Sequence, residues 1–200
     1  SIPLRLFDSR AERGPGPVIV FFHGGGFVLG DIEVYHSLCS EIAAETDLPV
    51  VSVEYRLAPE HPFPAAPDDC EAAARWIAGN PAELGLEVTG LVPMGDSAGG
   101  NLAIVITAAL AARPAAVPVV AQVPIYPLAS PIEHHESLRL FGRDFFLTRE
   151  VMGWFTRSYA GDDSDPRTYP LLETYHSRTP PTVVLTAGLD PLRDSGREYA

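Results

Sequence analysis

Residues 91–101 (LVPMGDSAGGN) carry an apolar stretch straight into Ser97, which has small residues at −2, +2 and +3. A helical pattern from Asn101 to Ala112 follows without a break. A strand that turns this abruptly into a helix pushes one side chain into an exposed, strained position, and only very small neighbours fit beside it. Gly95 and Gly99 provide that room around Ser97. Taken alone, Gly-x-Ser-x-Gly is also an ordinary turn, because both residue types are common there. The strand before it and the helix after it make Ser97 a candidate nucleophile and commit this region to a β–α unit.

The rest of the chain repeats that alternation. Residues 1–10 place Ile2, Leu4 and Leu6 in strand register, as an edge strand would, and residues 13–17 are a Gly/Pro turn. Residues 18–22 (VIVFF) form a solid apolar run, the signature of a strand buried on both faces. Residues 33–46 read as a helix with Leu38, Ile42 and Ala43 on one side, and residues 50–53 as the next buried strand. Four prolines make residues 59–67 irregular, and a helix is predicted over 67–78 with Pro67 in its first position. Residues 90–94, 117–125 and 182–186 are predicted strands; Pro93, Pro118 and Pro124 are awkward in them because proline removes a ladder donor. Residues 130–144 show no clean period, 148–159 are helical with Thr148 as N-cap, 162–181 form a polar connection, and 191–200 open a helix. Strands separated by helices imply βαβ units, hence an α/β fold with a mostly parallel sheet covered on both faces. No repeat or linker divides residues 1–200, so one domain is expected.

Charge narrows the partners. With a net charge of −12, neither nucleic acid nor an anionic membrane surface is expected as a partner. All 14 basic residues are arginine, which reads as a coding bias. No apolar run approaches the ~20 residues that span a bilayer. The first residues lack a leader-like layout. Cys39 and Cys70 both fall in predicted helices without ligand-spaced neighbours, so they are expected to be buried thiols in a reducing cytoplasm, with no bound metal.

In an open parallel sheet, chemistry gathers at the carboxyl ends of strands. Three such ends here carry unusual residues: His23-Gly24-Gly25-Gly26, Ser97, and Asp190. Consecutive glycines allow close backbone approach and expose N–H groups, which with the amide of Ala98 could hold the oxyanion of an acyl-transfer intermediate. A flexible turn or a phosphate-binding loop is the alternative, although no Gly-Lys-Ser/Thr follows. A carboxylate just past a strand, as Asp190 is, can orient a histidine; it can equally pair with Arg193.

Four ordered stretches, His23-Gly-Gly-Gly-Phe27, residues 55–64 (YRLAPEHPFP), Gly95-Asp-Ser-Ala-Gly-Gly100 and Asp190-Pro-Leu-Arg-Asp194, resemble the hormone-sensitive-lipase branch of the α/β-hydrolases, the bacterial family IV esterases. The resemblance implies Ser97 as nucleophile and Asp190 as triad acid. It makes Gly25, Gly26 and Ala98 the oxyanion donors. Gly24 would shape the loop, and His23 would support it without being the base. No role is implied here for Asp96. It also implies a helical cap ahead of the first strand and a catalytic histidine on a loop past Asp190, beyond Ala200. Residues 1–200 are therefore expected to be a partial catalytic domain lacking the cap and the last strand.

The histidines at hand, His36, His61 and His176, all precede Asp190 and are expected to be exposed or structural. Residues 133–136 (EHHE) are expected to be a solvated loop, because adjacent histidines point apart. Phe141, Phe145, Phe146, Trp154 and Phe155 could line an acyl pocket, with core packing the expected use.

The implied activity is serine carboxylesterase chemistry on short- to medium-chain acyl esters, with a small-molecule ester as partner, no cofactor, and a possible homodimer. Amide deacetylation and a non-catalytic ligand-binding role of the same fold are the rivals.

Overall fold

A run of β-branched and aromatic residues can be hidden only if both faces of its strand are covered. In the computed structural model, which describes residues 1–172 and 179–200, Val18, Ile19, Val20, Phe21 and Phe22 are all buried. They lie in β2 (Gly16–Phe22), in the middle of a five-stranded sheet of order β1-β3-β2-β4-β5. The other strands are β1 (Leu4–Phe7), β3 (Val50–Val53), β4 (Val88–Asp96) and β5 (Val123–Ile125). Every pairing is parallel except the edge pair, where Leu4 to Phe7 run antiparallel to Val53 to Val50.

Helices cover both faces, as a parallel sheet requires. On one face α1 (His36–Thr46) buries Cys39 and Ala43 against Ile19, Phe21 and Val50. On the other, α2 (Ala65–Ala78) and α3 (Ala98–Ala112) enclose Val18, Val20, Phe22 and Leu91. The helix α3 is buried along most of its length, which explains why its apolar residues show little sidedness. Three shorter helices follow: α4 (Glu136–Phe141), α5 (Arg149–Tyr159) and α6 (Arg193–Tyr199). Thr148 Oγ1 accepts the amide of Val151 at 3.3 Å and caps α5 as its sequence position predicts. Both cysteines are free and buried, in α1 and α2.

Several boundaries depart from the sequence expectation. The helix α1 begins at His36, and Leu38 faces solvent; Cys39 and Ala43, one turn apart, form the buried stripe instead. The helix α2 starts two residues before Pro67, which then sits within the first turn, where its missing N–H leaves no gap. The predicted strand over 117–125 is split into a single bridge, Val119 to Leu91, and the short β5. Pro93 explains where the split falls. The Leu91 amide donates to Pro118 O at 2.9 Å, so the donor that Pro93 lacks, two residues on, faces the interrupted stretch between Val119 and Val123. Residues 182–186 are not a regular strand: they make two isolated bridges, Gln122 to Thr182 and Ile125 to Leu185. Residues 133–136 are largely solvated, with Glu133, His134 and Glu136 exposed and His135 the exception. His134 is exposed, while His135 turns inward, its Nε2 3.1 Å from Glu198 Oε2.

Candidate active site

The connection leaving β2 runs over one face to β3, and the connection leaving β4 runs over the opposite face to β5, on the other side of the sheet. Between the carboxyl ends of β2 and β4 the chain therefore diverges and leaves a crevice, the place where open α/β sheets bind ligands. Phe22 pairs with Gly95 at that end, so the glycine loop leaving β2 and the serine turn leaving β4 face each other across it.

Ser97 takes φ 56°, ψ −115°, joining β4 directly to α3. That conformation is unfavourable for a residue with a Cβ and is held by its surroundings. The Ser97 amide donates to Ile125 O at 2.8 Å and its carbonyl accepts from Asn101 N at 3.0 Å. The turn lies so close to β2 that a Cβ on Gly95 or on Gly99 would overlap the carbonyl oxygen of Phe22. The Ser97 hydroxyl makes no capping bond to α3. It lies on a cavity of about 380 Å³ together with Gly26 and Ala98, over an apolar wall that includes Phe27, Leu128, Leu138, Met152, Phe155 and Leu192.

Among the described residues, the amides of Gly25, Gly26 and Ala98 donate to no protein acceptor. Gly25 and Gly26 both have positive φ, 113° and 63°, and the Gly25 carbonyl is tied down by Val28 N and Leu29 N at 3.1 and 2.9 Å. Gly26 and Ala98 reach the cavity wall; Gly25 stands one residue behind it. N–H groups left unpaired beside an apolar cavity suit a developing negative oxygen, because nothing has to reorganise to meet it.

His23 is fully buried under this loop. Its Nδ1 donates to Gly24 O at 2.8 Å, its ring stacks on Tyr55 at 4.3 Å, and the Tyr55 hydroxyl donates to His23 O at 2.6 Å. Burial pushes the imidazole pKa down, so the ring stays neutral. It is a prop for the loop. Asp96 is a residue whose part sequence reasoning missed. Its Oδ1 accepts the amide of Gly24 at 2.9 Å and its Oδ2 accepts the hydroxyl of Tyr35 at 2.9 Å, across the crevice. Burial pushes this carboxyl up, and the Tyr35 and Gly24 donors oppose the shift. Asn101 is a second such residue. Its Nδ2 donates to Leu128 O and Thr168 O at 2.7 and 2.9 Å, pinning two cavity-wall segments to the helix that begins at Ser97. An amide side chain inside a predominantly apolar helix is the available signal.

Asp190 is half-buried, and its Oδ1 accepts the amide of Leu192 at 2.9 Å. Burial pushes its carboxyl up, only partly countered by that amide. Its carboxylate does not pair with the guanidinium of Arg193, whose Nε donates to Asp194 Oδ1 at 2.9 Å. Asp190 does not itself border the cavity, which its neighbour Leu192 reaches. Among the described residues no histidine borders the cavity: His36, His61 and His134 are exposed, and His23 is under the loop. His176 lies outside the described residues. Of the aromatic residues, Phe155 borders the cavity, whereas Phe145, Phe146 and Trp154 are exposed and belong neither to core nor to pocket.

The chain as a whole is similar to known proteins. A family model described as the alpha/beta hydrolase fold matches residues 19–200. The whole chain aligns at 35% identity with 64% of an ethyl acetate hydrolase of Pseudomonas putida, and at 40% identity with 55% of the carboxylic ester hydrolase LipN of Mycobacterium tuberculosis. It superimposes with a TM-score of 0.92 and 38% identity on 66% of an esterase from Pyrobaculum calidifontis. The chain thus spans less than two thirds of the length of these relatives.

Proposed function

The chain belongs to the α/β-hydrolase family, in its hormone-sensitive-lipase-like esterase branch, and on that premise we propose that it is the catalytic core of a serine carboxylic ester hydrolase acting on short- to medium-chain acyl esters. The observation that carries the reading is Ser97, held at φ 56° between β4 and α3 on an apolar cavity beside amides that bond nothing else. Relatives whose names state ester hydrolysis support it.

In this reading Ser97 Oγ attacks the ester carbonyl carbon, and its proton passes to a histidine outside residues 1–200. Asp190 orients that histidine and stabilises its imidazolium form. The amides of Gly25, Gly26 and Ala98 take the negative oxygen of the tetrahedral intermediate. Collapse expels the alcohol, which takes the proton from the imidazolium. Water, deprotonated by the same histidine, then attacks the acyl-Ser97 ester and releases the acid. The cavity's apolar wall suits an acyl chain, since each buried methylene contributes about 0.8 kcal/mol.

The test is hydrolysis of p-nitrophenyl acetate and butyrate by the protein in its complete natural length. Ser97→Ala is expected to abolish turnover while leaving the fold intact by circular dichroism. Turnover that survives this change overturns the assignment.

A further inference from the structure

Tyr35 stands at the N-terminal boundary of α1, on the opposite side of the crevice from the serine turn. Its ring is wedged beside Phe21 and His23, with centroids 5.8 and 5.5 Å away, which fixes where the hydroxyl points. That hydroxyl donates to Asp96 Oδ2 at 2.9 Å and accepts from the amide of Gly24 at 3.1 Å. The same amide reaches Asp96 Oδ1 at 2.9 Å. Three groups from three elements thus close one ring of hydrogen bonds. Each end of it abuts the reacting geometry: Gly24 precedes Gly25 and Gly26, and Asp96 precedes Ser97 and Ala98. The contact is tight, since a Cβ on Gly24 would overlap the Asp96 carboxylate.

Resting on the esterase reading, we propose that Tyr35 is a positioning residue for the oxyanion site. Its hydroxyl holds the Asp96 carboxylate in the rotamer that fastens the glycine loop, and so sets the spacing between the Gly25–Gly26 amides and the Ala98 amide. A carboxylate held by one donor can turn about its side-chain torsions; held at both oxygens across the crevice, it cannot. Without the hydroxyl the buried carboxyl loses its donor at Oδ2, and swings or draws in water to replace it. The amides of the loop and of the turn then lose their fixed separation. Substrate binding on the apolar wall is unaffected, because Tyr35 does not border the cavity. The consequence is selective for the transition state, in which the oxyanion is fully developed.

Tyr35→Phe in the complete protein tests this, assayed with p-nitrophenyl butyrate after counting active sites by the p-nitrophenol released from a p-nitrophenyl phosphonate. Per titrated site, kcat is expected to fall about tenfold with KM unchanged, as misplacement of oxyanion donors requires. The inhibition constant of a trifluoromethyl ketone, which forms a tetrahedral oxyanion on Ser97, is expected to rise by the same factor. A purely structural role would instead lower the melting temperature or the titrated fraction and leave kcat per site unchanged. In an Asp96→Asn background the Tyr35→Phe step is expected to have almost no further effect, because the carboxylate it serves is gone. Unchanged kcat per site, a change confined to KM, or full additivity of the two substitutions overturns the inference alone. A parent enzyme with no ester hydrolysis overturns this inference and the esterase reading together.

Discussion

Gly99 presses against the carbonyl oxygen of Phe22 so closely that a Cβ at position 99 would overlap it, with the His23 carbonyl oxygen only 2.8 Å from the same point. Both obstacles are backbone atoms, one at the end of the central strand and one in the loop just after it, and neither can swing aside as a side chain would. Gly99→Ala is therefore expected to cost about 3 kcal/mol or more, the upper end of overpacking penalties. Gly14→Ala, with nothing within 4 Å of the added carbon, is the control and is expected to be neutral. Urea unfolding of the two variants measures the difference.

Much of this arrangement was legible because it is local. Five consecutive apolar residues at 18–22 bounded by Gly/Pro and Gly-rich stretches suit a doubly covered strand, and small residues on both sides of Ser97, set between a strand and a helix, suit close backbone approach. The link between Tyr35 and Asp96 was not legible, since the two residues are 61 positions apart and meet only because β2 and β4 pair in one register. Helix α4 escaped notice because six residues are too few to display a 3.6-residue period. Residues 182–186 have the composition of a strand yet form only the bridges Thr182 to Gln122 and Leu185 to Ile125, because composition does not show how far a ladder extends.

The conformation of Ser97 implies a trade between stability and activity. A non-glycine residue at φ 56° and ψ −115° carries strain of about 1–3 kcal/mol, which glycine would relieve. Glycine's larger conformational freedom in the unfolded chain offsets about 0.5–1 kcal/mol of that gain. Ser97→Gly is expected to be more stable than the parent by about 1 kcal/mol, a melting temperature about 2–4 °C higher for a chain of this size, while ester hydrolysis is lost. Calorimetry and a p-nitrophenyl butyrate assay on the same preparation read both.

Asn101 joins two wall segments of the cavity through one amide group, donating to Leu128 O and Thr168 O. Asn101→Ala leaves a buried carbonyl at Thr168 and a half-buried one at Leu128 without that donor, a loss of about 2–3 kcal/mol. Because Leu128 and Thr168 border the cavity, the variant is also expected to raise KM for p-nitrophenyl butyrate more than it lowers kcat. A stability loss with an unchanged KM would show that the wall keeps its shape without this bond.

Asp69 gives a pH dependence of defined sign. Burial alone would push its carboxyl up, but Arg56 donates its amide, Nε and Nη2 at 3.0, 2.8 and 2.8 Å and holds it below the ordinary 3.8. With the native pKa below the unfolded one, the stabilisation is complete above the unfolded value and is lost as pH falls through the native value. Asp69→Asn is expected to cost about 1–2 kcal/mol at pH 7, moderated because the Arg56 side chain is half exposed. The gap between parent and variant should then narrow as pH falls below about 4. Urea unfolding at a series of pH values checks it, and a gap independent of pH would show that the Arg56 contact does not depend on the Asp69 charge.

The ring of Phe155 fills the space that a side chain at Gly26 would need, so it lies against the loop whose amides border the cavity. An acyl chain leaving a carbonyl held by those amides would meet this ring within a few methylenes. Phe155→Ala opens that end of the cavity, at a cost of about 3 kcal/mol in stability for the lost ring. If two further methylenes become buried, at about 0.8 kcal/mol each, the preference for a longer chain rises by roughly 15-fold. The ratio of kcat/KM for p-nitrophenyl octanoate to that for the butyrate is the measurement, because a ratio cancels any loss of folded enzyme. An unchanged ratio would mean that the acyl chain runs along the Leu138 and Met152 side of the cavity instead, where Phe155 could not limit its length.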